Sequence, residues 1–309
     1  MSLLIVGTIA FDAIETPFGK TDKIIGGAAT YIGLAASYFT QNLGLVSVIG
    51  DDFPKDYTDL LKSKNINLDG IEIKQGEKSF FWSGKYHIDM NTRDTLVTEL
   101  NVLAGFDPVV SAKFKEPDFL MLGNLTPLIQ KKVIQQLTKR PKLIVLDTMN
   151  FWIDTAMNDL KEVLKMIDVL TINEEEARML SNEYSLIKAA RKIMEMGPKY
   201  LIIKKGEHGA LLFDKEQVFF APALPLEEVF DPTGAGDSFA GGFIGYLDKT
   251  KDISFENLKG AIIMGSAMAS FTVEKFGTEK LINLTKEEIK NRIQEFVDLV
   301  QFEISIAYK

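Results

Sequence analysis

Phe119-Leu120-Met121-Leu122, Leu143-Ile144-Val145-Leu146, Val169-Leu170-Thr171-Ile172 and Leu201-Ile202-Ile203-Lys204 are short apolar runs in one continuous stretch of the chain. Between and beside them lie segments whose apolar residues recur every three or four positions, at 128–137, 158–166, 174–180 and 186–196. A strand buried on both faces reads as an unbroken apolar run, and an amphipathic helix reads as a period near 3.6. Strands and helices in alternation mean βαβ crossovers. The fold class is therefore α/β, with a mostly parallel central sheet covered by helices on both faces.

The flanking sequence extends this pattern. Leu3-Leu4-Ile5-Val6 is a first buried strand, and Gly26-Gly27 opens a helix over 28–39. Its small residues Ala28, Ala29, Gly33, Ala35 and Ala36 suit close packing on a sheet. A strand at 45–49 and a helix at 55–63 follow. Downstream, 209–213 and 217–221 read as a hairpin, and 237–247, 257–273 and 286–300 as helices. The segment 71–100 differs. Phe80, Trp82, Tyr86, Ile88 and Met90 share one parity, and Phe81, Ser83, Lys85, His87 and Asp89 the other. That period of two predicts a half-buried antiparallel strand, turning at Asn91-Thr92-Arg93-Asp94. We expect a single domain over 1–309, carrying a small projecting β-sheet formed mainly by 71–100 plus a strand near 10–25.

Composition narrows the function. The chain has 309 residues, 46% of them hydrophobic, with 35 Lys plus Arg against 43 Asp plus Glu and a formal charge of −8. A general nucleic-acid binder would carry the opposite sign, so no nucleic-acid partner is expected. With no cysteine and only His87 and His208, thiolate and His-rich metal sites are excluded. No apolar run approaches the ~20 residues of a membrane span, and the start lacks the basic region of a signal peptide. A cytoplasmic protein without a membrane partner is the expectation.

The sharpest local feature is Asp231-Pro232-Thr233-Gly234-Ala235-Gly236-Asp237-Ser238-Phe239-Ala240-Gly241-Gly242-Phe243. Small residues free a run of backbone N–H groups, and a helix with Phe239, Phe243 and Leu247 on one face begins at once. Donors at a helix N-terminus form an anion site. Asp237 is a poor ligand for that anion. It reads either as a helix cap or as a general base that takes a proton from a hydroxyl attacking phosphorus. Neither a Walker loop nor a dinucleotide fingerprint is present.

The 231–243 segment closely resembles the C-terminal signature of the ribokinase (PfkB) family of carbohydrate and nucleoside kinases. Further resemblances run along nearly the whole chain: the pair Gly26-Gly27, Asn173-Glu174-Glu175-Glu176 as an Asn-x-x-Glu motif, and Lys205-Gly206-Glu207-His208-Gly209 as a nucleotide-binding turn. The resemblance implies a ribokinase-like three-layer α/β/α sandwich with a β-sheet lid, and an ATP-dependent phosphotransferase acting on a hydroxymethyl group. Asp237 would be the base, and the amides of Gly234, Ala235 and Gly236 the anion hole. Asn173 and Glu176 would hold Mg²⁺ through its waters, although by themselves they read as a helix cap and a first-turn carboxylate. Lys205, Gly206, Gly209 and Thr233 would flank the nucleotide, with Ala267, Ser270 and Gly277 framing its base. Asp231 and Thr233 would hold a monovalent cation such as K⁺.

The same resemblance puts Asp12 on the acceptor's hydroxyls, over a floor of Gly26, Gly27 and Thr30. Asn124 and Asn150 follow strands at their carboxyl ends, where open α/β sheets bind ligands. Phe81, Trp82 and His87 are lid candidates, as packing or as acceptor contacts. Many relatives carry an Asn shortly after the glycine pair, whereas here the segment runs Gly26-Gly27-Ala28-Ala29-Thr30-Tyr31, and Asp147-Thr148-Met149-Asn150-Phe151-Trp152 lacks the Arg often found after the Asn. Both departures concern the acceptor. The cluster of hydroxyl-matching groups favours a sugar or polyol, while Tyr31 and Trp152 keep a nucleoside in play. An idle nucleotide- or sugar-binding regulator is the remaining alternative, against which the retained Asp237 argues. The lid's aromatic strand has an edge to protect, and a homodimer pairing two lids would protect it.

Overall fold

The structure, a computed structural model, describes residues 1–301. The last stretch of the expected domain, 302–309, lies outside the described residues. The large sheet has the order Val218–Ala221, Ala210–Phe213, Tyr200–Lys204, Val169–Asn173, Leu143–Asp147, Phe119–Leu122, Leu3–Val6, Leu43–Gly50, Ile66–Lys74. Every pairing from Tyr200–Lys204 to Ile66–Lys74 is parallel, and the hairpin closes the opposite edge antiparallel.

Alternate residues of each central strand feed opposite faces, which is why their sequences read as continuous apolar runs. Leu3 and Ile5 join one core with Tyr31, Phe239, Phe243 and Leu258. Leu4 and Val6 join the other with Val133, Leu160, Ala177 and Ile193. The first layer of helices therefore includes Ala28–Ser37, Ala235–Thr250 and Phe255–Thr272, and the second Pro127–Gln136, Met157–Leu164, Glu174–Ser181 and Leu186–Met194. This is the expected three-layer sandwich. The helix foreseen at 158–166 is preceded by a separate short one, Asn150–Thr155, with the chain turning at Ala156.

The small sheet has the order Gly19–Lys20, Ala10–Thr16, Phe80–Tyr86, Arg93–Glu99, with Ile24–Gly26 added to Ala10–Thr16. The lid is thus narrower than 71–100. Residues 71–74 complete the strand Ile66–Lys74, which pairs with Leu43–Gly50 in the large sheet. Phe80–Tyr86 pairs antiparallel with Arg93–Glu99, as its alternation predicts, and parallel with Ala10–Thr16. The register sets Asp12 beside Trp82 and Phe11 beside Phe81. Side chains alternate between faces, so Asp12 and Trp82 share one face and Phe11, Ala13, Phe81 and Ser83 the other. Among the described residues, no helix is long and apolar enough to cross a membrane.

Candidate active site

The site assembles where the carboxyl ends of the parallel strands meet the start of helix Ala235–Thr250. Gly234 caps that helix in the left-handed region at φ 76°, and a Cβ there would lie 2.5 Å from the Tyr31 ring. Glycine is required on both counts. The Ala235 amide already donates to the Pro232 carbonyl at 3.2 Å, so it is not a free donor as expected. Open donors lie instead in the first turn, at Gly236 and Asp237, where a helix has no internal acceptors.

Asp237 sits half-buried on that turn. Burial and the nearby Asp147 carboxylate push its pKa up to about 7, against the opposing charges of Lys204 and Arg93. A carboxyl that exchanges its proton near neutral pH suits a general base better than a plain cap. Across the loop, Lys204 Nζ lies 3.3 Å from both Asp147 oxygens. A Cβ at Gly236 would lie 3.1 Å from that ammonium. Lys204 and Asp147 have no place in any local motif. The only signal for them is a charged residue ending a buried apolar strand, at the sheet edge where α/β folds bind ligands.

Asn173 and Glu176 form a reciprocal capping box, each backbone N–H donating to the other's side chain at 2.8 Å. The cap reading is therefore realised, but Glu176 is no solvated first-turn carboxylate. It is buried, and desolvation with a contribution from Asp147 raises its pKa to about 7, against Lys204. Lys205 donates its amide to the Gly209 carbonyl at 2.8 Å, closing the tight turn that holds Gly206 and Gly209 at positive φ. The lid reaches this turn, because a Cβ on Gly206 would collide with the Asn91 side chain. Ala267 is buried among helices, and the Ser270 hydroxyl accepts from Arg292 at 2.6 Å, so neither lines an open base site.

Asp231 is buried, accepting from the Thr233 amide at 2.8 Å and from the Gly277 amide at 2.9 Å. Burial raises its pKa. Gly277 therefore ties the loop together. The Thr233 hydroxyl donates at 3.2 Å to the Tyr86 hydroxyl of the lid. Tyr86 went unnoticed in sequence because its alternation marks it only as core-facing.

In the acceptor half, Asp12 is buried against Gly26, where a Cβ would collide with its carboxylate. Gly27 is at φ 93°, with a Cβ position 2.6 Å from the Thr8 carbonyl. Burial first, then Asp231 and Asp237, push the Asp12 pKa up to about 8, while the Gly27 amide pulls the other way. The Thr30 hydroxyl does not line the floor. It is buried and donates to the Gly26 carbonyl at 2.7 Å. Asn124 is committed too, with its carbonyl accepting from Trp152 at 2.9 Å and its amide donating to Met149 Sδ at 3.0 Å. Helix Asn150–Thr155 swings Trp152 back over the strand end, where its indole N–H is committed to Asn124. Asn150 starts that helix and is exposed. Trp82 remains on the Asp12 face, but Phe81 points to the opposite face, into a 390 Å³ cavity with Ala13 and Lys23. His87 is exposed at the lid tip, 3.0 Å from Asp94.

The geometry thus offers one base, open backbone donors, a lysine over the loop and a buried carboxyl for an acceptor. A family model described as pfkB family carbohydrate kinase matches residues 3–284. The cytidine kinase of Thermococcus kodakarensis is 27% identical over 282 residues, spanning 90% of this chain and 98% of its own. A Burkholderia thailandensis nucleoside kinase in complex with inosine superposes at TM-score 0.78 and 20% identity, over 95% of this chain and 98% of that one. An E. coli chain in complex with ATP and Mg²⁺ superposes at TM-score 0.75 and 19% identity, over 95% and 99%. The two structures share the fold. The match over 3–284 goes further: the chain belongs to the pfkB family of carbohydrate kinases, phosphotransferases that act on an alcohol group.

Proposed function

We propose that the protein is an ATP- and Mg²⁺-dependent kinase of the cytoplasm that phosphorylates the hydroxymethyl group of a small sugar or sugar-like polyol. The observation that carries this reading is Asp237, with a pKa near 7, beside open amides at a helix start. Asp237 takes the proton of the acceptor hydroxyl as its oxygen bonds to phosphorus. The bond to the ADP oxygen breaks and ADP leaves with its electron pair. The Gly236 and Asp237 amides face the charge on the transferred group.

The residues present fit a nucleotide phosphate. The absent side chain of Gly236 leaves room beside Lys204, and among the described residues the Thr148 hydroxyl next to Asp147 is buried without a partner. Asn173 and Glu176 would hold Mg²⁺ through its waters. The ion would supply charge neutralisation at the phosphates. Lys205, Gly206 and Gly209 would flank the nucleotide, and a K⁺ would sit beside Asp231 and Thr233. Asp12 binds the acceptor's hydroxyls over Gly26 and Gly27, with Trp82 above. The exposed outer strand Arg93–Glu99 makes a lid-to-lid homodimer the fitting assembly.

A nucleoside acceptor is the second reading, favoured by the likeness to the T. kodakarensis cytidine kinase over 98% of that protein. An ADP-release screen over pentoses, hexoses, polyols and nucleosides decides between them. Turnover fastest with a free sugar or polyol supports the first. Cytidine, adenosine or inosine turning over far faster than any free sugar establishes the second.

A further inference from the structure

We propose that Lys204 is a further catalytic residue, its ammonium held over Gly236 by Asp147 so that it contacts the transferred phosphoryl group. This rests on the kinase reading above. Lys204 ends strand Tyr200–Lys204, and the parallel register places it beside Asn173, while Asp147 lies beside Thr171 on the neighbouring pair. Two residues 57 positions apart thus meet across the carboxyl edge of the sheet.

An ammonium carries three donor protons. Among the described residues, Asp147 is the recorded acceptor, at 3.3 Å to each oxygen, which leaves donor directions unused. The Lys204 side chain is 18% exposed, and its ammonium is the atom nearest the Cβ position of Gly236, at 3.1 Å. Burial disfavours the charged lysine, but Asp147, Glu176 and Asp237 outweigh this and hold its pKa above the usual value. It is a fixed cation at neutral pH. A counter-ion serving Asp147 alone would have no need to sit beside a glycine in the phosphate loop.

In the transfer step, Lys204 would donate to a non-bridging oxygen of the phosphoryl group as the acceptor oxygen–phosphorus bond forms and the ADP oxygen departs. Asp237 still receives the acceptor's proton, and Lys204 keeps its own. Asp147 is a positioning residue that fixes the ammonium over the loop.

The test compares Lys204→Met, Lys204→Arg and Asp147→Asn with wild type. Each is followed by calorimetric titration with ATP·Mg²⁺ and with ADP·Mg²⁺, by steady-state kinetics and by thermal melting. A lost charge-assisted contact to the terminal phosphoryl weakens ATP binding by about ten- to hundredfold while ADP binding changes by less than about twofold. Lys204→Met should lower kcat by about 10²-fold or more, with Lys204→Arg restoring part of the loss. Asp147→Asn should show the same ATP-over-ADP selectivity loss in smaller measure, and its near-isosteric change keeps the test valid if Lys204→Met does not fold. ATP and ADP affinities moving together, or kcat unchanged in folded Lys204→Met, overturns the proposal and leaves the kinase reading standing. A wild type that releases no ADP with any acceptor overturns both.

Discussion

Asp237 and Asp12 are both carboxyls displaced upward by burial, yet the displacement has opposite uses. Asp237 must be ionised to accept a proton, so activity requires pH above its pKa of about 7. We expect kcat/KM to fall about tenfold per pH unit on the acid side of that value. Asp237→Asn removes the acceptor for the proton and should cost about 10²–10⁴-fold in kcat, with ATP affinity close to wild type. Near-wild-type turnover in the purified variant would sink the base assignment. For Asp12, the folded pKa of about 8 stands above the ordinary aspartate value of 3.8. The folded state therefore binds the extra proton between these values, and the unliganded protein loses stability as pH rises from about 4 to about 8. Asp12→Asn cannot ionise. Its melting temperature should match wild type near pH 4 and exceed it at pH 8, by on the order of 2–4 °C for each kcal/mol recovered. A difference that does not grow with pH would show that Asp12 is not held in its acid form by the fold.

At the scale of elements, a hydrogen bond from Thr233 to Tyr86 joins the lid to the phosphate loop. Tyr86→Phe keeps the packing and deletes that bond, at about 1 kcal/mol. We expect a severalfold rise in acceptor KM with little change in melting temperature, read from steady-state kinetics. An unchanged KM would mean that the lid is held by its tip on Gly206 instead. What the sequence disclosed follows the same division. The βαβ alternation and the 231–243 loop are local patterns, so the sandwich, the helix start and Asp237 were all legible. Parity marked Phe80–Tyr86 as a half-buried strand with Phe81 and Trp82 on opposite faces, but nothing in it shows which neighbours it takes, so which of the two shares the face of Asp12 was not legible. Asn124 and Asn150 stand after strands as expected, yet an indole from the next helix claims the first, and the second begins that helix. Lys204 and Asp147 meet only through the register of two strand pairs, which no spacing along the chain records.

The molecule as a whole presents its narrow sheet as an outer edge. Strand Arg93–Glu99 is exposed along its length, and Leu96 and Val97 are 55% and 40% exposed. An exposed strand edge carrying two apolar side chains favours pairing with another chain. We expect sedimentation to give a dimer in wild type and a monomer in a Leu96→Glu, Val97→Lys variant. A monomeric wild type at all working concentrations would remove the lid-to-lid assembly and leave the catalytic assignments untouched.

The tight seat of Asp12 on Gly26 also has a thermal consequence. Near neutral pH the unliganded carboxyl is largely protonated, whereas a vicinal diol donating into it stabilises the anion. Acceptor binding at pH 7 should therefore expel a proton to the buffer. The heat measured in Tris should differ from that in phosphate by the number of protons expelled times the gap between the two buffers' ionisation enthalpies. Asp12→Asn should shrink that difference.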